Sequence, residues 1–355
     1  MGFFALLALM QVGLAASEDP GCVDAVLFTA SPLNVWDIAS IRPLGGLNPP
    51  GHVFPTDHIY FYMQRDASGA PLKVPFFAPG DLIVTTVSAS QHVEAGYTDF
   101  TLELAPCEDV AVVFGHITSL DPEVFGDTAA FTDWTLSNEY STGGETYRLW
   151  RKDVSVAVQA GQQLGTAGGR WGQLALDFGV YDRRSIAEAV ANPARWTHSR
   201  VLTAVCPLDY YVEGVLRDAL LDLVESDPML STDARCATVF QDVPGTAHGC
   251  WFASGTATTY PEDPHLALVT SNTRPWESVF SVGTSVPGLS AGTYTFSPQG
   301  TGVVNRAFED ITADGEVYAF RVDGFDGVLL LTMPDGGTLW LEAVSGGDLD
   351  CRIPQ

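Results

Sequence analysis

The sequence predicts a mostly β protein, and three observations carry that reading. Gly (35) and Pro (22) are plentiful across 355 residues, so turns are frequent. Between the turns lie short runs that alternate apolar and polar residues, as in Phe100-Thr101-Leu102-Glu103-Leu104, which gives a strand one face for a core. Apolar residues recur at helical spacing over several turns in one stretch, from about Asp209 to Ser226. The length gives a prior of about two domains. The expected organisation is an N-terminal β domain over 22–184, a short helical connector over 185–245 and a C-terminal small β-barrel or sandwich over 246–355.

Gly2 to Ala16 is an apolar run that ends in small residues. It falls short of the roughly 20 residues a bilayer span needs and fits a secretory signal over 1–16. No other segment is long and apolar enough to cross a membrane. The expected location is therefore secreted, periplasmic or within the cell envelope. Lys+Arg (17) are scarce against Asp+Glu (43), for a net charge of −26. That balance excludes nucleic acid as a partner, because binding a phosphate backbone rests on cationic neutralisation. None of the six cysteines forms a C-x-x-C pair, which leaves a zinc ribbon unsupported. An even count in an exported chain reads as disulfides. Many pairings are open; the preferred set is Cys206 with Cys236, Cys250 with Cys351 and Cys22 with Cys107.

Along the chain, a Pro/Gly-rich approach (IRPLGGLNPPGHVFPTDH) forbids helix and delivers His52, Asp57 and His58 to one neighbourhood. Strands are expected at Ile59–Met63, Val74–Phe77, Asp81–Ser90, Phe100–Leu104 and Val110–Ile117, the last carrying His116 near its end. Residues 120–145 read as a loop-rich insertion. Further strands follow at Thr146–Trp150, Val154–Val158 and Leu174–Val180; the last is apolar except for Asp177. A lone carboxylate in such a strand needs a partner or a function. Ser185-Ile186-Ala187-Glu188 is a capping-box pattern that predicts a short helix. From about Gly249, eight short runs separated by Gly, Pro and Asp turns predict the C-terminal barrel or sandwich. Asp335-Gly336-Gly337 reads as a hairpin turn.

Four segments, in order, resemble the lysostaphin/LytM-type zinc endopeptidases of peptidoglycan. VPFFAPGDLIV (74–84) is similar to that family's P-V-x-A-x-x-x-G-x-V segment, and Phe114-Gly115-His116-Ile117 to its Y-G-H-L strand. Val158 to Gly165 is similar to its V-x-x-G-Q-x-I-G turn, and Leu176-Asp177-Phe178-Gly179-Val180 stands where the family has L-H-F-E-V. The resemblance implies a lysostaphin-like two-sheet N-terminal β domain with His116 as a catalytic histidine. It also implies a possible zinc site drawn from His52 or His58, Asp57 and Asp177. The active-site pattern departs from the family's: His52 and Asp57 are one residue too far apart for H-x-x-x-D, and the positions of H-x-H hold Ala175 and Asp177. Two functions follow. The first is a degenerate endopeptidase-like protein that binds cell-wall peptide, glycan or a partner hydrolase. The second is an active metallohydrolase with an altered His/Asp/Asp site, since zinc accepts carboxylate oxygen as well as imidazole. A structural envelope protein without a ligand is the bland alternative. Trp134, Trp150 and Trp171 are candidates for stacking on sugars, although tryptophan more often packs in cores. His198, His248 and His265 lie outside any motif and read as surface or capping residues.

Overall fold

A computed structural model describes residues 22–346, apart from 23–25, 127, 129–132, 143 and 228. The expected signal over 1–16 and Cys351, with its pairing to Cys250, lie outside the described residues. Over the described residues the chain is mostly β, with three antiparallel sheets and few helices. Its first eleven strands are β1 (Ile38–Arg42), β2 (Ile59–Met63), β3 (Lys73–Phe77), β4 (Leu82–His92), β5 (Tyr97–Ala105), β6 (Val110–Leu120), β7 (Thr135–Thr142), β8 (Glu145–Val158), β9 (Gln163–Gly168), β10 (Ala175–Asp182) and β11 (Ala204–Val205). The main path runs β1-β2-β10-β6-β5-β4-β8-β7; β11 pairs with β10, and β9 joins β3 to the end of β6.

Alternation along β10 decides which residues face the core. Leu176, Phe178 and Val180 are fully buried, and Phe178 packs against Phe114, Phe28 and Phe61 with ring centroids 4.5, 5.5 and 5.9 Å away. Phe76 on β3 closes over Phe114 at 4.9 Å, which layers the β3–β9 pair on the main sheet. Ala175, Asp177, Gly179 and Tyr181 therefore share the opposite face. Register extends that face. Asp177 lies opposite Tyr60 on β2 and Gly115 on β6, Ser90 opposite Asp99, His92 opposite Tyr97 and Tyr147, and Tyr147 opposite Tyr140. Directly opposed residues share a face, so a polar, aromatic surface crosses the sheet from β2 to β7.

Several expectations change. The insertion over 120–145 contains β7, an edge strand paired along β8. Strands β3 and β4 form where expected but pair with other strands, β3 with β9 and β4 with β5 and β8. The capping box at Ser185 opens no helix: Ile186 stays exposed, and the segment bonds outward through Ala187 N–H to the Leu202 carbonyl at 2.8 Å. The helix expected over Asp209–Ser226 shrinks to Val215–Leu221, because Gly214 at φ +141° breaks the chain direction just before it. Cys22–Cys107 and Cys206–Cys236 are disulfides. Among the described residues no helix is long and apolar enough to cross a membrane.

The C-terminal unit holds β12 (Gly249–Trp251), β13 (Leu266–Thr270), β14 (Ser278–Val282) and β15 (Gly292–Phe296) in one sheet. A second sheet holds β16 (Tyr318–Phe320), β17 (Gly327–Asp335) and β18 (Thr338–Ser345). The run GVVNRAFEDI forms no strand; a 3₁₀ turn at Phe308–Asp310 occupies it. The β17–β18 hairpin turns at Gly336-Gly337 as expected. The sheets remain open and share one core, in which Phe280, Phe296, Phe308 and Phe320 interlock at 4.9–5.8 Å. This arrangement is a sandwich. Leu268 and Phe280 point into this core while Ala267, Val269 and Val279 join the N-terminal core, so the β13–β14 pair is buried on both sides.

Phe178→Ala should cost about 3–5 kcal/mol, the range for emptying a packed aromatic site. Urea unfolding followed by tryptophan fluorescence checks this, and Phe178→Leu should cost markedly less.

Candidate functional site

Asp177 occupies the middle of the polar face, and its immediate neighbours are chosen to admit a carboxylate. A Cβ on Gly115 would come within 2.9 Å of Asp177 Oδ2, so glycine there leaves the room that this carboxylate fills. The next residue, His116, has φ +59°. This is the left-handed region that non-glycine residues enter at a cost of about 1–2 kcal/mol. The register of β6 with β5 and with β9 is irregular there, and the bulge turns the His116 ring onto the polar face. From the other side, the turn before β2 brings in His58. His58 Nε2 and His116 Nε2 each lie 3.5 Å from the same Asp177 oxygen.

Carboxylates hold the far nitrogens of both rings. Asp57 Oδ1 lies 2.8 Å from His58 Nδ1, and Asp99 Oδ2 lies 2.8 Å from His116 Nδ1. Asp99 Oδ2 is also 3.5 Å from His92 Nε2. The result is a line in which acid and imidazole alternate: Asp57, His58, Asp177, His116, Asp99, His92. Tyr181 donates to Asp57 at one end. At the other end His92 stacks on Tyr97 at 4.1 Å and meets Tyr147 edge-on at 4.9 Å. His116 is the member most open to water, with 41% of its side chain exposed against 14% for His58 and 17% for Asp177.

The electrostatics follow from the hydrogen bonds. With Nδ1–H donated to a carboxylate, each neutral ring would turn an Nε2 lone pair toward Asp177. Three acceptors facing one another need positive charge between them. Protons supply it: the Asp177 carboxylate, and after it the bond to Asp99, push His116 up to about 10 against the burial that opposes them. His58 is also raised; burial works against this, while Asp177 and Asp57 drive it. Asp99, although buried, is held down to about 2 by its bonds to His116 and His92. His52 behaves differently. Its ring is 5.9 Å from His58, and burial, reinforced by His58, lowers it to about 4, which leaves it neutral.

The five residues singled out by sequence thus meet, but not as one ligand set. Asp57 lies behind His58 on Nδ1, in the place of a carboxylate that orients an imidazole rather than one that faces a shared point. His116, expected as a catalytic group apart from the ligands, converges with His58 on Asp177. Among the described residues, no group of three or more His, Cys, Asp or Glu side chains is arranged to hold a metal ion. The donor types at the convergence, two imidazole nitrogens and a carboxylate, are ones that zinc accepts, and two buried atoms there, His58 Nε2 and Asp177 Oδ1, have no hydrogen-bond partner.

Sequence reasoning missed Asp99, His92 and Tyr181. Asp99 carried the same signal as Asp177, a carboxylate inside an otherwise strand-forming run. Trp134 and Trp150 pack against the N-terminal core, and only Trp171 of the three presents an exposed ring. His265 is fully buried and His248 is 10% exposed, so neither is a surface residue.

Comparison of the chain with protein-family models, with curated proteins and with solved structures finds no match. The similarity to lysostaphin/LytM-type endopeptidases rests on the four sequence segments alone.

Because His116 is raised above its ordinary 6.5, its pairing stabilises the fold fully below that value and fades as pH rises through about 10. Asp177→Asn removes the principal cause. Thermal unfolding across pH 6–10 should therefore show a flatter alkaline decline in Asp177→Asn than in the wild type.

Proposed function

We propose that the protein is an exported, degenerate endopeptidase-like module that binds cell-wall peptide or glycan, or a hydrolase acting there, without hydrolysing the wall itself. The observation that carries this is the capture of Asp177 between two imidazoles. With the Asp177 carboxylate raising it well above its ordinary value, His116 carries its proton at neutral pH and stands there as a cation rather than a general base. Ala175 stands where the resemblance calls for a second histidine, which removes another group from the reaction. What remains is a solvent-open imidazolium in a face flanked by Tyr60 and Tyr62 on one side and Tyr97, Tyr147 and Tyr140 on the other. Such a face offers the positive charge of the exposed His116 ring to a peptide carboxylate, tyrosine hydroxyls as donors and acceptors and ring surfaces to sugars. Export is supported by the two disulfides and by the apolar N-terminal run.

A second reading is favoured by the partnerless His58 Nε2 and Asp177 Oδ1. A divalent cation bound by His58, His116 and Asp177 would replace the protons there and supply Lewis-acid chemistry to a hydrolase. On binding it would release protons to the buffer.

Incubation with purified sacculi separates the two. The binding reading predicts retention on sacculi, no soluble muropeptides with or without added zinc, and about fivefold weaker retention for His116→Ala (about 1 kcal/mol, the upper end for an exposed charge pair). Zinc-dependent release of muropeptides, abolished in His116→Ala, would establish the hydrolase instead. Neither retention nor release would remove both.

A further inference from the structure

The segment that carries His52, Asp57 and His58 belongs by sequence to the N-terminal unit, yet much of what holds it comes from residues 252–265. Glu262 is 4% exposed, and its Oε2 accepts the Phe54 backbone N–H at 2.9 Å. The Phe54 ring is buried and lies 5.0 Å from Phe252 and 5.1 Å from His265, with the His265 ring nearly parallel to it at 14°. Trp196 of the connector closes a third side at 5.0 Å. His265 is itself fixed: its Nδ1 accepts the Ala253 N–H at 3.1 Å, which leaves Nε2–H to donate to the Thr258 carbonyl at 3.3 Å. The segment's own backbone ties are the reciprocal bonds between Asn48 and His52 and between Gly45–Gly46 and Thr56. Phe54, midway between His52 and Asp57, has its N–H satisfied only from the far end of the chain. Burial, with the Asp57 charge nearby, pushes the Glu262 carboxyl up to about 8. It is therefore mostly neutral at pH 7, and glutamine is its close mimic.

We propose that Glu262, backed by the Phe252 and His265 rings, is a positioning residue for the His52–His58 segment, so that the C-terminal unit completes a site the N-terminal unit does not hold alone. The contacts stand independently of what the site does; the consequence for wall binding rests on the function proposed above.

Hydrogen exchange read by mass spectrometry on the full chain tests this with Glu262→Ala and Glu262→Gln. Glu262→Ala should speed exchange in the peptide spanning 52–58 by about tenfold, the scale of one lost buried hydrogen bond, while peptides from β4, β5 and β8 stay as in the wild type. Glu262→Gln, whose amide oxygen still accepts from Phe54, should remain within about twofold of the wild type. Retention on sacculi should fall in the first variant and return in the second. Should Glu262→Ala fail to fold, Phe252→Leu trims the supporting ring and should loosen the same peptide alone. Unchanged protection of 52–58 in Glu262→Ala, or a glutamine variant as loose as the alanine one, would overturn the proposal. Exchange that changes as expected in a wild type that ignores sacculi would uphold the positioning and sink only the binding reading.

Discussion

A carboxylate placed in the middle of a sheet must be neutralised, and the way Asp177 is neutralised governs the rest of this structure. Leaving such a charge uncompensated in a water-poor site costs several kcal/mol. Two histidines approach it, one from the turn before β2 and one from β6, and each has its other nitrogen tied to a further aspartate. The charge balance therefore propagates outward in alternating signs. The backbone serves it: Gly115 makes space for the carboxylate, and the positive φ of His116 aims the ring. Strain of this kind persists where surrounding structure over-determines it, here a β6 held by β5, β9 and β10 at once.

Both functions proposed above draw on one convergence of two imidazoles and a carboxylate. What differs is the cation that fills the gap, protons or a metal, and protons on the rings exclude the metal until they leave. The chain's acidity acts in the same direction, because a net charge of −26 raises the cost of deprotonating any imidazole near carboxylates. The two halves of the molecule also meet at this point. The β13–β14 pair is buried on both faces, and the loop leading into it reaches Phe54 beside the histidines.

Much of the fold was legible in the sequence because it depends on period-two patterning. The β10 run reads correctly from Leu176 and Phe178 against Asp177, and the disulfides Cys22–Cys107 and Cys206–Cys236 match the preferred pairing. Where the reading failed, tertiary contacts outweighed local signals. The backbone after Ser185 bonds to Leu202 and Asp242 instead of to itself, and Gly214 shortened a helix that spacing alone extended. The site was half legible. Asp177 announced itself by contrast with its neighbours, and the Pro/Gly-rich approach kept His52, Asp57 and His58 together. Which nitrogen of which ring would face which carboxylate was not legible, because that depends on the β6 bulge and on strands distant in sequence. Asp99 lies 17 residues from His116 in the chain and 2.8 Å from its ring.

The most direct test is ¹⁵N NMR of the histidine side chains in the wild-type protein at pH 8, with divalent cations removed by chelation. His116 should show both ring nitrogens protonated, as an imidazolium, at a pH where a free histidine is neutral. A neutral His116 with an unprotonated Nε2 under those conditions would contradict it, because the Asp177 carboxylate would then be facing a lone pair with no proton between them.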